Sequence, residues 1–141
     1  MKYPMNFKAQ SQASNGTGGT WEIKSYESQA KCAIPPEFGG PGGAFSPEDL
    51  FAQALTNCFV ATFKVYAQTS RVEFQSVDAS SNLVVDLNEA GKPVMKKLTL
   101  SVQIQGAKQP DRVKTLAEKA FASGFILNSV KTELEFHLQV S

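Results

Sequence analysis

The apolar and polar positions along this chain fall into two periods. From Ser46 to Thr69, Leu50, Ala54, Leu55, Cys58, Phe59, Thr62, Phe63 and Tyr66 recur at helical spacing. Phe51, Val60, Ala61 and Val65 fill much of the remaining circumference. A helix that is apolar nearly all round is normally buried. Ser46 is a good N-cap, and Pro47 suits the first helical position. Glu48 and Asp49 set negative charge at the positive end of the helix dipole. The pattern therefore predicts a long central helix over about 46–69, with the rest of the chain packed on it. A second helix is predicted over about 110–123, opened by Pro110 and Asp111, with Val113, Leu116, Ala117, Ala120 and Phe121 as its apolar stripe. Gly124 is placed to cap its C-terminus.

Elsewhere the period is two. Tyr3, Met5, Phe7 and Ala9 alternate with polar residues and predict a half-buried strand. Strands are predicted around Trp21 and Ile23, and at roughly Ser28–Ile34, where Ala30, Cys32 and Ile34 share a face. Val77–Leu87 and Leu98–Ile104 alternate cleanly about a turn at Asn88–Lys92, as a hairpin wet on one side does. A last strand runs Thr132–Val140, with His137 on its polar face. Between the third strand and the long helix lies Pro35–Gly43, dense in proline and glycine. It predicts an ordered loop that lays backbone near the helix entrance. Hairpins and a non-alternating order of elements give an α+β fold, and 141 residues suit one domain over 1–141.

Composition narrows the function by exclusion. A net charge of +1 gives no electrostatic case for nucleic acid or an acidic membrane. No apolar run reaches transmembrane length, and Met1–Gln10 does not resemble a signal peptide, so a cytoplasmic location is expected. One histidine leaves a conventional zinc site or a Ser-His-Asp triad hard to build, and no metal or cofactor is expected. The glycines of Pro35–Gly43 are not followed by the Gly-Lys-Ser/Thr ending of a phosphate loop. Two cysteines, Cys32 and Cys58, are too few for a disulfide scaffold. Each is then either a small buried hydrophobe or a functional thiol. Cys32 reads as an inward-facing core residue of its strand. Cys58 lies in the middle of the long helix, beyond the reach of the N-terminal dipole. Reactivity there requires a nearby cation or hydrogen-bond donors to hold the thiolate.

Pro35–Gly43, Ser46-Pro-Glu-Asp-Leu-Phe51 and Ala54-Leu-Thr-Asn-Cys-Phe59 together resemble the core signature of the OsmC/Ohr superfamily, the osmotically inducible and organic hydroperoxide resistance proteins. The order of elements matches that fold along nearly the whole chain. The resemblance implies an intertwined homodimer with antiparallel sheets around the long helices and sites at the subunit interface. It implies thiol-dependent reduction of organic hydroperoxides, with Cys58 attacking the peroxide, Glu48 as its accessory group and a dithiol as reductant. An apolar substrate pocket would draw on Phe38, Phe45, Phe51, Phe59 and Phe125. Two positions depart from the family pattern. Gly124 stands where a resolving cysteine usually follows the second helix, and Thr20 follows the glycine turn that usually precedes an arginine. A disulfide of the family type is thereby excluded, and Cys32 is the candidate auxiliary thiol. The alternative expectation is a non-peroxidatic protein on the same scaffold, binding a small apolar ligand or acting as an interaction module.

Overall fold

A computed structural model describes all of residues 1–141. The chain divides by its internal contacts into two compact units, Met1–Leu50 and Phe51–Ser141. In the first unit, β1 (Gln10–Gln12), β2 (Trp21–Ser25) and β3 (Ser28–Cys32) form an antiparallel sheet in that order. The predicted N-terminal strand is not formed over Met1–Ala9; pairing begins only at Gln10, opposite Lys24. Tyr3, Met5 and Phe7 are exposed, Phe7 by 85%. Alternation states which face a strand would bury, but a neighbouring strand and a core must be there to bury it.

The Pro/Gly loop is ordered and folds back on β3. A single 3-10 turn spans Pro36–Phe38. Gly42 N–H then donates to Ile34 O, Phe45 N–H to Lys31 O, and Ala33 N–H to Phe45 O, so that Phe45 runs beside Cys32. Gly40 is required by this close approach, because a Cβ there would collide with the Ile34 carbonyl oxygen. The loop delivers the chain to Ser46, the cap of α1 (Pro47–Thr69). Ser46 Oγ accepts from Asp49 N–H at 3.0 Å, and Asp49 Oδ2 accepts from Ser46 N–H at 2.9 Å. This is a reciprocal capping box with aspartate in the usual glutamate place, and it satisfies two N–H groups at the helix entrance.

In the second unit, β4 (Ser76–Leu87), β5 (Pro93–Gln105) and β6 (Glu133–Val140) form a sheet with β5 in the centre. β4 and β5 are the expected antiparallel hairpin, with Leu83 opposite Leu98 and a bulge at Val84/Val85. β6 runs parallel to β5, pairing Leu100 with Phe136. The link between them is α2 (Pro110–Ser123), long enough for the crossover that parallel neighbours need.

Helix and sheet periods converge on one core. α1 contributes Leu55, Phe59, Phe63 and Ala67, β5 contributes Leu98, Leu100, Val102 and Ile104, and α2 contributes Val113, Ala117 and Ala120. Phe59 stacks on Phe63 at 5.9 Å between ring centroids and meets Phe136 at 5.4 Å. Each fully buried ring is worth about 1.5–3 kcal/mol relative to exposure. The same helix is not buried all round within the chain. Asn57, Ala61 and Val65 lie on its open side, Val65 being 61% exposed.

Candidate functional site

The part of the site that lies in the second unit is built where the middle of α1 meets the end of α2. Cys58 is half-buried and packs against the edge of the core. Its carbonyl accepts from Thr62 Oγ1 at 2.7 Å, a local bond within the helix. The thiol itself rests on Gly124. A Cβ added at Gly124 would sit 2.7 Å from Cys58 Sγ and 2.9 Å from Leu127 Cδ1. Both distances are shorter than side chains tolerate without a shift.

This changes the reason for the glycine. Gly124 follows α2 as expected, and its N–H donates to Ala120 O at 3.1 Å. Its φ of −59° and ψ of 135°, however, are angles any residue adopts, not a left-handed cap. The missing side chain serves close approach to sulfur, not the helix terminus.

Hydrogen bonds hold that approach in place. Gly124 O accepts from Asn128 N–H at 2.9 Å and from Asn128 Nδ2 at 3.0 Å, and the same amide reaches Ala122 O. Ser123 Oγ donates to Lys119 O at 2.7 Å, which leaves it to accept from Tyr66 OH at 2.6 Å. Lys119 Nζ lies over the Tyr66 ring, 4.8 Å from its centroid. The Tyr66–Ser123 bond thus ties the end of α2 to α1, and Asn128 fixes the turn that follows α2 around Gly124. Sequence pattern placed Tyr66 on the buried stripe of α1 but gave no sign that its hydroxyl would be used. Asn128, four residues after Gly124, was a weak signal of a backbone-binding amide.

Glu48 stands in the first turn of α1, and its Oε1 is buried with no hydrogen-bond partner. Such an orphan acceptor costs about 1–3 kcal/mol, so it is a place where a donor would be gained. Cys32 ends β3 at 2% exposure, and burial pushes its thiol above the ordinary range. Phe38 and Phe45 are exposed on the loop before α1. In the second unit, Phe51 is half-buried, Phe59 belongs to the core, and Phe125 is 66% exposed immediately after Gly124. Ile126 beside it is exposed as well. No group of three or more His, Cys, Asp or Glu side chains is placed to hold a metal ion. No helix is long and apolar enough to cross a membrane.

Comparison with known proteins adds the family. The profile of the OsmC-like protein family matches residues 40–139, from the Pro/Gly loop to the last strand. The chain belongs to the OsmC-like family. Solved OsmC-like structures share its fold. One is an OsmC-like protein of unknown function from Vibrio cholerae, at a TM-score of 0.85 and 19% identity over 96% of this chain and 100% of that one. Another is an organic hydroperoxide resistance protein OsmC from Legionella pneumophila, at 0.75 and 22% identity over 99% of each chain. A third is an organic hydroperoxide resistance protein from Elizabethkingia anophelis, at 0.76 and 21% identity, covering 100% of this chain and 99% of that one. Identities this low carry the OsmC-like fold alone. No curated protein matches the chain.

Proposed function

We propose that this OsmC-like protein reduces organic hydroperoxides at the expense of thiols, with Cys58 as the attacking sulfur. The observation that carries this is the placement of the two thiols. Cys58 is half-buried against a residue without a side chain, whereas Cys32 is sealed and burial pushes its thiol up. Only the first combines access with a packed apolar surround, and exposed Phe125 and Ile126 extend that surround toward an apolar substrate. The names of the Legionella and Elizabethkingia relatives support the same reading. Glu48 is the accessory group of the proposal, and Phe38, Phe45, Phe51 and Phe59 complete its apolar residues. Two free thiols suit a reducing cytoplasm.

The test is direct. Purified, reduced protein is mixed with cumene hydroperoxide, with and without excess dithiol, and Cys58 is trapped with dimedone. Dithiol-dependent peroxide consumption and a dimedone adduct on Cys58 are expected. A Cys58 that stays reduced under excess hydroperoxide would leave the ligand-binding role on the same scaffold.

The proposal includes a homodimer. The open side of α1 with Val65, the exposed apolar arm of Tyr3, Met5 and Phe7, and the unpartnered Glu48 Oε1 all support it. A second copy would cover the first two and bring a donor to the third. Sedimentation equilibrium at micromolar concentration is expected to give the mass of two chains. The mass of one would remove the dimer.

A further inference from the structure

No second thiol faces Cys58 from within its own unit, Phe51–Ser141. The residue whose Cβ would sit 2.7 Å from its sulfur is a glycine. The one other thiol of the chain, Cys32, is 2% exposed. A resolving thiol must ionise and must reach the sulfur it attacks. Burial denies Cys32 the access and disfavours its thiolate. Cys58, by contrast, is half-open, and no side chain projects from position 124 across it. A half-buried sulfur in the middle of a helix suits a small attacking thiol better than a thiol on another protein's surface.

We propose that oxidised Cys58 is resolved by a low-molecular-weight thiol from solution, through a mixed disulfide on Cys58, and that Gly124 is the residue that commits the protein to this one-cysteine cycle. This rests on the peroxidatic reading above. In the first step the Cys58 thiolate takes the terminal oxygen of the hydroperoxide. An S–O bond forms, the O–O bond breaks, and the alkoxide leaves as the alcohol after taking a proton from water. Sulfur is oxidised by two electrons to the sulfenic acid. The small thiolate then attacks that sulfur. An S–S bond forms, the S–O bond breaks, and hydroxide leaves as water after protonation. A second small thiolate attacks the small-molecule sulfur, releasing the symmetrical disulfide and the Cys58 thiolate. The sum is one hydroperoxide and two thiols converted to one alcohol, one water and one disulfide.

The experiment is intact-mass spectrometry with peptide mapping. Reduced wild type and Cys32→Ser are treated with one equivalent of cumene hydroperoxide, then with glutathione as the probe thiol. The expected result is a glutathione adduct on Cys58 in both proteins, released by further glutathione, with turnover unchanged by the Cys32 substitution. Cys32→Ala, which keeps that position apolar, serves if the serine variant does not fold. A Cys32–Cys58 disulfide, or two chains joined through Cys58, that persists under excess glutathione would overturn the inference and leave the peroxidatic reading standing. So would a sulfenic acid that advances to sulfinic acid with no glutathione adduct. A Cys58 untouched by the hydroperoxide would overturn both.

Discussion

Cys58→Ser is expected to reduce thiol-dependent hydroperoxide consumption to the uncatalysed rate while the protein stays folded. The chemistry needs a thiolate that can accept oxygen and return to the thiol. A serine hydroxyl neither ionises near neutral pH nor forms a sulfenic acid. Removal of a nucleophile acts on the scale of roughly 10³–10⁶ in rate, far beyond any packing effect the same substitution brings. Its structural cost is small because the position is half-buried and helical. A serine hydroxyl there can return a hydrogen bond to the carbonyl one turn earlier, as Thr62 already does to Cys58. The stability change should stay below about 1 kcal/mol. Cys32→Ser makes the useful contrast. It buries a hydroxyl at a sealed position, where an unsatisfied group costs about 1–3 kcal/mol, yet it should leave turnover in place. A peroxide assay beside urea unfolding of both variants separates the two effects. Near-wild-type turnover in Cys58→Ser would move the chemistry away from this sulfur.

Helix boundaries were the most legible part of the fold because their signals are local. Ser46, Pro47 and the acidic pair fix the start of α1, and Pro110 fixes the start of α2. The hairpin was legible for the same reason: alternation on both arms surrounds a turn whose Asn88 side chain binds its own backbone. What remained hidden depends on partners distant in sequence. The alternation of Glu133–Val140 marks a strand but carries no direction, and only the intervening α2 makes the parallel pairing with β5 natural. The same limit explains the N-terminal arm. Its pattern is as regular as that of β5, but of the residues before β2 only Gln10–Gln12 pair with it. The nearly complete apolar circumference of α1 likewise predicts a buried helix with the rest of the chain packed on it. Within the chain it is fully buried along Leu55, Thr56, Phe59, Phe63 and Ala67, flanked by half-buried Phe51, Cys58, Val60 and Tyr66, and open along Asn57, Ala61 and Val65.

The candidate site was legible in residue type more than in geometry. Motif resemblance singled out Cys58 and Glu48, and it marked Gly124 as a departure. Local rules could not show that Gly124 and Cys58 touch, because 66 positions separate them. A glycine after a helix has a ready explanation in capping, and that explanation hid the other one. The torsion angles decide between them: at φ −59° an alanine would suit the backbone, so the space is what the glycine provides. Tyr66 and Ser123 escaped notice because a tyrosine on an apolar stripe reads as core until its hydroxyl is seen to have a partner.

That geometry makes Gly124→Cys the second large effect, and its sign depends on redox state. A disulfide with an S–S bond of ~2.05 Å and ordinary C–S geometry holds each Cβ about 3 Å from the far sulfur. The Cβ direction at 124 already lies 2.7 Å from Cys58 Sγ, so a small rotation of the Cys58 side chain brings the pair into bonding range. The nearest atoms in the way are Sγ itself and Leu127 Cδ1, both ends of side chains that can move. Reduced, the variant is overpacked, and inserted atoms in a packed site cost about 1–3 kcal/mol. Loss of glycine freedom in the unfolded chain returns only about 0.4–1 kcal/mol of that. Oxidised, it closes a loop of some 66 residues, for which chain entropy alone predicts roughly 4 kcal/mol of stabilisation. The net should favour the oxidised variant over wild type and wild type over the reduced variant. Urea unfolding with and without reductant gives that order. Mass spectrometry after one equivalent of hydroperoxide should show Cys58 joined by a disulfide to the thiol introduced at position 124. In turnover, the variant is expected to be supported poorly by glutathione and well by a dithiol, since an internal disulfide is opened most readily by a reductant that closes its own ring. A variant that takes up glutathione at Cys58, as is expected of wild type, would mean that the 2.7 Å approach does not persist through the reaction, and that something other than Gly124 leaves the sulfur open.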